Sequence, residues 1–182
     1  MLADRDIRKE FDEGNLGISD YKDFKKQLQP ASFDFHLGRE FKVIKDFPID
    51  DTGKTDLSNI QTKSYFDSFS LASQDFVLAH TKESIRLPRD IAGKVDGRSS
   101  FGRLGVTVHI TAGFLDPGFR GQVTLEVANL SSRPISLKAG QRIGQFTFHY
   151  LTRPCEVSYD EKEDAKYQDQ RGACESKFKG ML

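Results

Sequence analysis

The strongest constraint on the fold is the alternation between Gln122 and Ala128. Val123, Leu125 and Val127 fall on one side of an extended chain, and Gln122, Thr124, Glu126 and Ala128 on the other. Strand-like runs of this kind recur at Phe33 to Leu37, Phe76 to His80, Ile91 to Val95, Val106 to Ile110 and Ile143 to Leu151, divided by Gly, Pro and Ser turns. This spacing predicts a mainly β body: a sandwich, barrel or jelly roll. Ahead of it, Asp4 is expected to cap a short helix carrying Ile7 and Phe11 on one face, with Gly14 as its stop. Asp50 to Ser64 reads as a solvated loop, and the charged tail from Asp160 as mobile on its own.

Composition narrows the classes of function. The 182 residues suffice for one domain with a substantial core. Lys plus Arg and Asp plus Glu both number 27, so no global basic field points to nucleic acid, and any phosphate recognition must be local. Two cysteines give no disulfide framework. The start, MLADRDIRKEF, lacks an apolar signal core and no run approaches the length of a membrane span, so the expected location is cytoplasmic and off the membrane.

The residues that carry chemistry lie between Gly97 and Glu126. In Gly97-Arg98-Ser99-Ser100-Phe101-Gly102-Arg103, a Gly-bounded loop sets two hydroxyls beside two guanidiniums, whose planar forks suit phosphate oxygens. The pattern of a P-loop is missing, and the same loop also reads as a polar turn between strands. Asp116 precedes the Pro117-Gly118 turn, where a carboxylate commonly caps backbone N–H groups. Glu126 lies on the polar side of its strand. It reads either as part of a solvated face or as a carboxylate lining a cleft, able to take and return protons. The H-x-E and later P-C-x-x-C pattern of a catalytic zinc site does not occur here. His36, His80, His109 and His149 are scattered, and Cys155 and Cys174 stand too far apart to form such a pair.

GRSSFGRLGVTVHITAGFLDPGFRG from Gly97, then TLEVANL from Thr124 and PISLKAGQRIGQ from Pro134, closely resemble the dCTP deaminase family within the dUTP diphosphatase superfamily. The resemblance runs from ADRDI at Ala3, through SFDFHLG at Ser32 to Gly38, to EDAKYQDQRG at Glu163 to Gly172. It is weakest between Phe47 and Phe69. It implies a single domain over residues 1–182: a distorted β-barrel or jelly roll of the dUTP diphosphatase type, with a short N-terminal helix and a flexible C-terminal lid from about residue 160.

The resemblance also implies residue roles. Deamination of dCTP to dUTP and ammonia proceeds without zinc, with Glu126 as general acid and base. Arg98, Ser99, Ser100, Phe101, Gly102 and Arg103 match the segment that holds the triphosphate, with Ser99 and Arg103 nearest the chemistry. The Ala112 carbonyl would help hold the water, with His109 in support. Asp116 would bind the deoxyribose, Thr124, Leu125 and Glu126 would line the nucleoside pocket, and Gln145 would make a further nucleotide contact. Tyr159, Lys166 and Gln170 would close over the nucleotide; Lys166 and Gln170, four apart, would share a face if that segment became helical. Magnesium carried on the triphosphate, dTTP as a candidate feedback inhibitor, and a homotrimer with sites between subunits belong to the same implication.

Related bifunctional enzymes also cleave the nucleotide to dUMP and diphosphate, and tend to carry a glycine after the T-A pair and a downstream glutamine. Gly113 and Gln145 keep that product open. A pure dUTP diphosphatase fits less well, because Glu126 and the DAKYQDQ tail resemble the deaminase branch. A regulatory protein that keeps the fold without turnover should lack the proton-transfer carboxylate, and Glu126 is present.

Overall fold

The computed structural model describes residues 1–46, 61–111 and 113–177. The chain opens with helix α1 (Asp4–Asp12), strand β1 (Gly17–Ser19) and helix α2 (Phe24–Gln27). Strands β2 (Leu28–Gln29), β3 (Ser32–His36), β4 (Glu40–Asp46), β5 (Gln61–Phe66) and β6 (Ser68–Leu71) follow. Next come β7 (Phe76–Arg86), β8 (Ile91–Gly97), the single turn of helix α3 (Ser99–Gly102), β9 (Val106–Thr107) and β10 (Phe114–Leu115). Last are β11 (Arg120–Asn129), β12 (Ile135–Lys138), β13 (Arg142–Tyr150) and a 3-10 turn at Tyr159–Glu161.

Two antiparallel sheets make the body. One runs β5-β4-β7-β11-β9 with β1 added to β7, the other β10-β8-β13-β3-β2, and β12 pairs with β6 in a separate ribbon. The two sheets face each other across one apolar cluster. Phe33, Phe35, Phe146 and Phe148 enter it from the second sheet, and Phe41, Val77, Ala79, Leu125 and Val127 from the first. The alternation in β11 has this cause, since Val123, Leu125 and Val127 are 5%, 0% and 0% exposed while Thr124 and Glu126 are only half-buried. The result is a mainly β fold of the jelly-roll type, with α1 laid against it through the fully buried Ile7.

Glu83, wholly buried on β7, joins the sheets through polar contacts. Its carboxylate accepts from the His36 backbone N–H at 2.8 Å and from Gln27 Nε2 at 2.9 Å, and lies 2.7 Å from His36 Nδ1. A buried carboxylate is tolerable only when so fully paired. Close packing has a sharper consequence at Gly144 on β13, where an added Cβ would lie 2.1 Å from Phe35 Cζ and 2.8 Å from the Asp96 carbonyl. Gly144→Ala is therefore expected to cost about 1–3 kcal/mol through overpacking, read as a lowered urea midpoint with unchanged slope.

Several local expectations are corrected. Ala3, not Asp4, occupies the N-cap of α1, and the Asp6 carboxylate reaches back to the Ala3 N–H at 3.1 Å. Asp4 sits one residue inside, where a negative charge still favours the helix start. Gly14 follows the helix with φ +74°, the left-handed conformation that glycine permits. Of Val106 to Ile110, only Val106–Thr107 is strand. Of the presumed loop Asp50 to Ser64, residues 50–60 lie outside the described residues, whereas 61–64 belong to β5, which among the described residues pairs with β4 alone. An edge strand needs few apolar side chains, so its polar sequence hid it. Tyr167 to Asp169 form a bend and a turn, and Gln170 bridges to Gly121. Among the described residues no helix is long and apolar enough to cross a membrane.

Candidate active site

A cavity of about 480 Å³ opens between the polar face of β11 and the C-terminal tail. β11 contributes Val123, Thr124 and Glu126, and β7 contributes Phe76 and Leu78. Phe114 and Leu115 come from β10, His109, Asp116 and Phe119 from the connections on either side of it, and Tyr159, Tyr167, Gln170, Cys174, Glu175 and Ser176 from the tail. The rings of Phe76, Phe114, Phe119, Tyr159 and Tyr167 give it apolar walls. Asp116, Glu126 and Glu175 supply carboxylates, and no Lys or Arg stands among the described lining residues. Such a lining suits a flat heterocycle with polar edges. It does not by itself suit a highly charged anion.

Glu126 lies opposite Leu78 in the register of β11 and β7. Its Oε2 accepts from the Thr111 backbone N–H at 2.9 Å and, more weakly, from Thr111 Oγ1 at 3.5 Å. Those contacts fix the carboxylate while Oε1 takes no hydrogen bond among the described residues. Both ring nitrogens of His109 are buried and likewise lack a partner among the described residues. Leaving such atoms unpaired is costly, so His109 points to a water or ligand in the cavity. Gly113 allows the ring this position, because a Cβ there would lie 3.3 Å from His109 Cδ2 and 3.0 Å from the Val95 carbonyl. Asp116 is exposed, and its carboxylate caps no backbone N–H among the described residues; its backbone carbonyl instead receives the Phe119 N–H at 3.1 Å.

The tail completes the enclosure. Tyr159 packs its ring 6.0 Å from that of Phe119, and its hydroxyl accepts from the Tyr167 N–H at 3.0 Å. Gln170 donates Nε2 to the Gln122 carbonyl at 2.7 Å, while its buried Oε1 has no partner among the described residues. Thr124 is engaged from the same side, its Oγ1 accepting from the Cys174 N–H at 3.1 Å.

The structure thus gathers Glu126, His109, Asp116, Thr124, Tyr159 and Gln170 around one cavity. The other predicted residues lie elsewhere. Leu125 is fully buried in the core, because strand alternation turns it away from the face that carries Glu126. Ala112 lies outside the described residues. Lys166 is exposed and is not part of the lining. Gln145 lies on β13 in the other sheet, between Asp34 and Asp96 in register, and its Oε1 accepts from Ser32 Oγ at 3.2 Å.

Arg98 to Arg103 follow β8 rather than β11, with Ser99, Ser100, Gly102 and Arg103 exposed and Phe101 half-buried against the core. Arg98 Nη1 approaches the Arg142 carbonyl at 3.4 Å, and Arg142 pairs with Asp34 at 3.2 Å. Burial pushes the Asp34 carboxyl up, against the pull of Arg142 and Arg98. None of this loop lines the cavity. Sequence reasoning missed Phe114, Phe119, Tyr167 and Cys174 as lining residues. Phe114 and Phe119 stand inside the GFLDPGFRG stretch and Tyr167 inside EDAKYQDQRG, but no local pattern marks Cys174.

A family model described as dCTP deaminase-like matches residues 1–151. The chain belongs to that family. A protein of Natronomonas pharaonis named dCTP deaminase is 42% identical over 186 residues, covering 99% of this chain and 95% of its own length. One of Dictyoglomus turgidum named dCTP deaminase, dUMP-forming, is 44% identical over 183 residues, covering 98% and 94%. Among solved structures, the 2'-deoxycytidine 5'-triphosphate deaminase of Agrobacterium tumefaciens superposes with TM-score 0.63 at 24% identity over 82% of this chain; this chain spans 47% of that longer one. A native EIAV dUTPase gives TM-score 0.51 at 18% identity, covering 81% of this chain and 98% of its own. These likenesses identify the jelly roll as that of the dUTP diphosphatase type. Among the described residues, no three His, Cys, Asp or Glu side chains gather as a metal-holding group.

Proposed function

We propose that this protein is a deaminase that hydrolyses the amino group of dCTP and releases dUMP, ammonia and diphosphate. The observation that carries the reading is the pairing of Glu126, oriented by the Thr111 N–H, with the unpartnered ring of His109 in one aromatic cavity. Family membership and the names of the relatives give the substrate class, and the dUMP-forming relatives favour the monophosphate product. A protein stopping at dUTP is the second reading, favoured by the relative named simply dCTP deaminase.

In the proposed reaction Glu126 takes a proton from water as its oxygen adds to C4 of the cytosine. Glu126 passes that proton to ring N3 and then moves the proton of the new C4 hydroxyl to the amino group, so that the tetrahedral carbon collapses to a carbonyl as ammonia leaves. Hydrolysis between the α and β phosphates then gives dUMP and diphosphate. Asp116 is assigned to the sugar, and Tyr159 and Gln170 to the enclosing wall. Because the described lining carries carboxylates and no Lys or Arg, the triphosphate is assigned cations outside it. The exposed hydroxyls and guanidinium of Arg98 to Arg103 are suited to that task from a neighbouring subunit, as in the homotrimer the resemblance implies. Exposed Leu104, Ile110 and Leu130 offer apolar surface near that loop for such an interface. Magnesium would arrive on the triphosphate, with phosphate oxygens and water as its ligands. dTTP would compete for the same cavity.

Incubation with dCTP and magnesium, with chromatographic resolution of dCTP, dUTP, dUMP and diphosphate, tests the reading. dUMP and diphosphate are expected in equal amounts with ammonia. Accumulated dUTP selects the second reading, and unchanged dCTP refutes both. Zinc chelation is expected to leave turnover intact in magnesium buffer. Stoichiometric zinc whose removal abolishes activity and whose return restores it would overturn the zinc-free mechanism.

A further inference from the structure

Beyond Gln170 the tail is held in an uncommon way. Gln170 still joins β11 through backbone, with the Gln122 N–H donating to the Gln170 carbonyl at 3.0 Å. The next backbone contacts use side chains of the sheet instead. The Gly172 N–H donates to Gln122 Oε1 at 2.7 Å, the Ala173 N–H to Glu40 Oε2 at 3.1 Å, and the Cys174 N–H to Thr124 Oγ1 at 3.1 Å. Three consecutive donors are thus matched by three side-chain acceptors from β4 and β11. Backbone groups leaving a ladder need such partners to remain docked.

Glu40 is itself held in place. Its Oε1 accepts from Ser64 Oγ on β5 at 2.9 Å, and its backbone N–H donates to His80 Nε2 at 3.3 Å. His80 directs Nδ1 at the Thr81 carbonyl, 2.9 Å away, and burial pushes its imidazole down, which favours the neutral form that can accept from Glu40. Gly172 is shaped to this carboxylate. Its φ is +72°, and a Cβ there would lie 2.5 Å from Glu40 Oε2. Neither Glu40 nor Gln122 lines the cavity, yet Cys174 within the held segment, and Tyr167, Gln170 and Glu175 on either side of it, do.

We infer that Glu40 and Gln122 are positioning residues that set nucleotide affinity by fixing residues 172–174 and thereby the tail wall of the cavity. The consequence for turnover rests on the dCTP deaminase reading, whereas the docking itself does not. The test therefore has two arms. In a Cys155→Ser background, Cys174 is the remaining thiol, and its alkylation by iodoacetamide without nucleotide reports release of the tail. The second arm measures KM and kcat for dCTP with magnesium.

Glu40→Ala is expected to speed Cys174 alkylation and raise KM by roughly tenfold, the equivalent of one charge-assisted hydrogen bond, with kcat within about twofold. Glu40→Gln, which keeps an acceptor, should recover most of the affinity. Gly172→Ala probes the same contact from the tail, away from the folded body, and should act in the same direction. Its effect should shrink when combined with Glu40→Ala, because the carboxylate it meets is gone. Unchanged alkylation in both single variants, or a loss confined to kcat, would overturn the inference. Absence of dCTP turnover in the parent refutes the functional reading, and the alkylation arm then decides the docking alone.

Discussion

Glu126→Gln is expected to reduce deamination by roughly 10²–10⁴-fold or to background, while dCTP binding stays within a few-fold of the parent. The amide occupies nearly the same volume and can keep its oxygen on the Thr111 N–H, which now holds Oε2 at 2.9 Å. What it cannot do is accept a proton from water and return it to the ring. Among the cavity's three carboxylates, Glu126 alone is both carried by a sheet strand and oriented by a backbone N–H; Asp116 is exposed, and Glu175 is tied to Lys42 at 3.0 Å and to Thr62 at 3.0 Å. The variant should be checked by ammonia release and by calorimetric titration with dCTP. Turnover within severalfold of the parent would remove Glu126 from the chemistry and return it to the solvated face of β11.

How much was legible depended on whether the physics was local. Val123, Leu125 and Val127 announced β11 because one side of that strand meets the core and the other does not. The runs at Phe33, Ile91 and Ile143 were visible for a related reason: β3, β8 and β13 are neighbours in one sheet and carry several of its buried side chains. Among the described residues β5 has one strand neighbour and little burial to advertise, and β6 and β12 pair only with each other, so their four-residue runs carried little signal. At the site, His109, Asp116, Thr124 and Glu126 were readable because one stretch of chain delivers them to one cavity. Arg98 to Arg103 stand close to them in sequence but at the end of β8, a strand of the opposite sheet. Proximity in sequence was no guide there. The lining role of Cys174 and the acceptors Glu40 and Gln122 was invisible, because each depends on where a distant segment returns.

Truncation after Tyr159 is expected to leave a folded body whose dCTP affinity and turnover both fall sharply. Among the described residues no strand of either sheet lies beyond Tyr150, and of those after Tyr159 only Ala173 is a buried apolar group. Little core is therefore exposed by the cut. The cavity fares differently, since it loses Tyr167, Gln170, Cys174 and Glu175, and Tyr159 loses the Tyr167 N–H that its hydroxyl accepts. The contacts that seat the tail are mostly polar and near the surface. Arg120 pairs with Asp169, with Nη2 and Oδ2 2.7 Å apart, and Arg89 pairs with Glu161. Exposed pairs of this kind contribute little to global stability, so the melting temperature should fall by only a few degrees. A base left open to water on one side loses its apolar wall, and water enters where the tetrahedral intermediate needs fixed dipoles. The loss should consequently appear in kcat as well as KM, unlike the affinity effect expected of Glu40→Ala. Circular dichroism checks that the fold persists, light scattering compares the state of assembly with that of the parent, and steady-state kinetics with dCTP gives the decisive numbers. Normal kinetic constants in the truncated protein would make the segment an ordinary terminus, with a complete site built by the sheets alone.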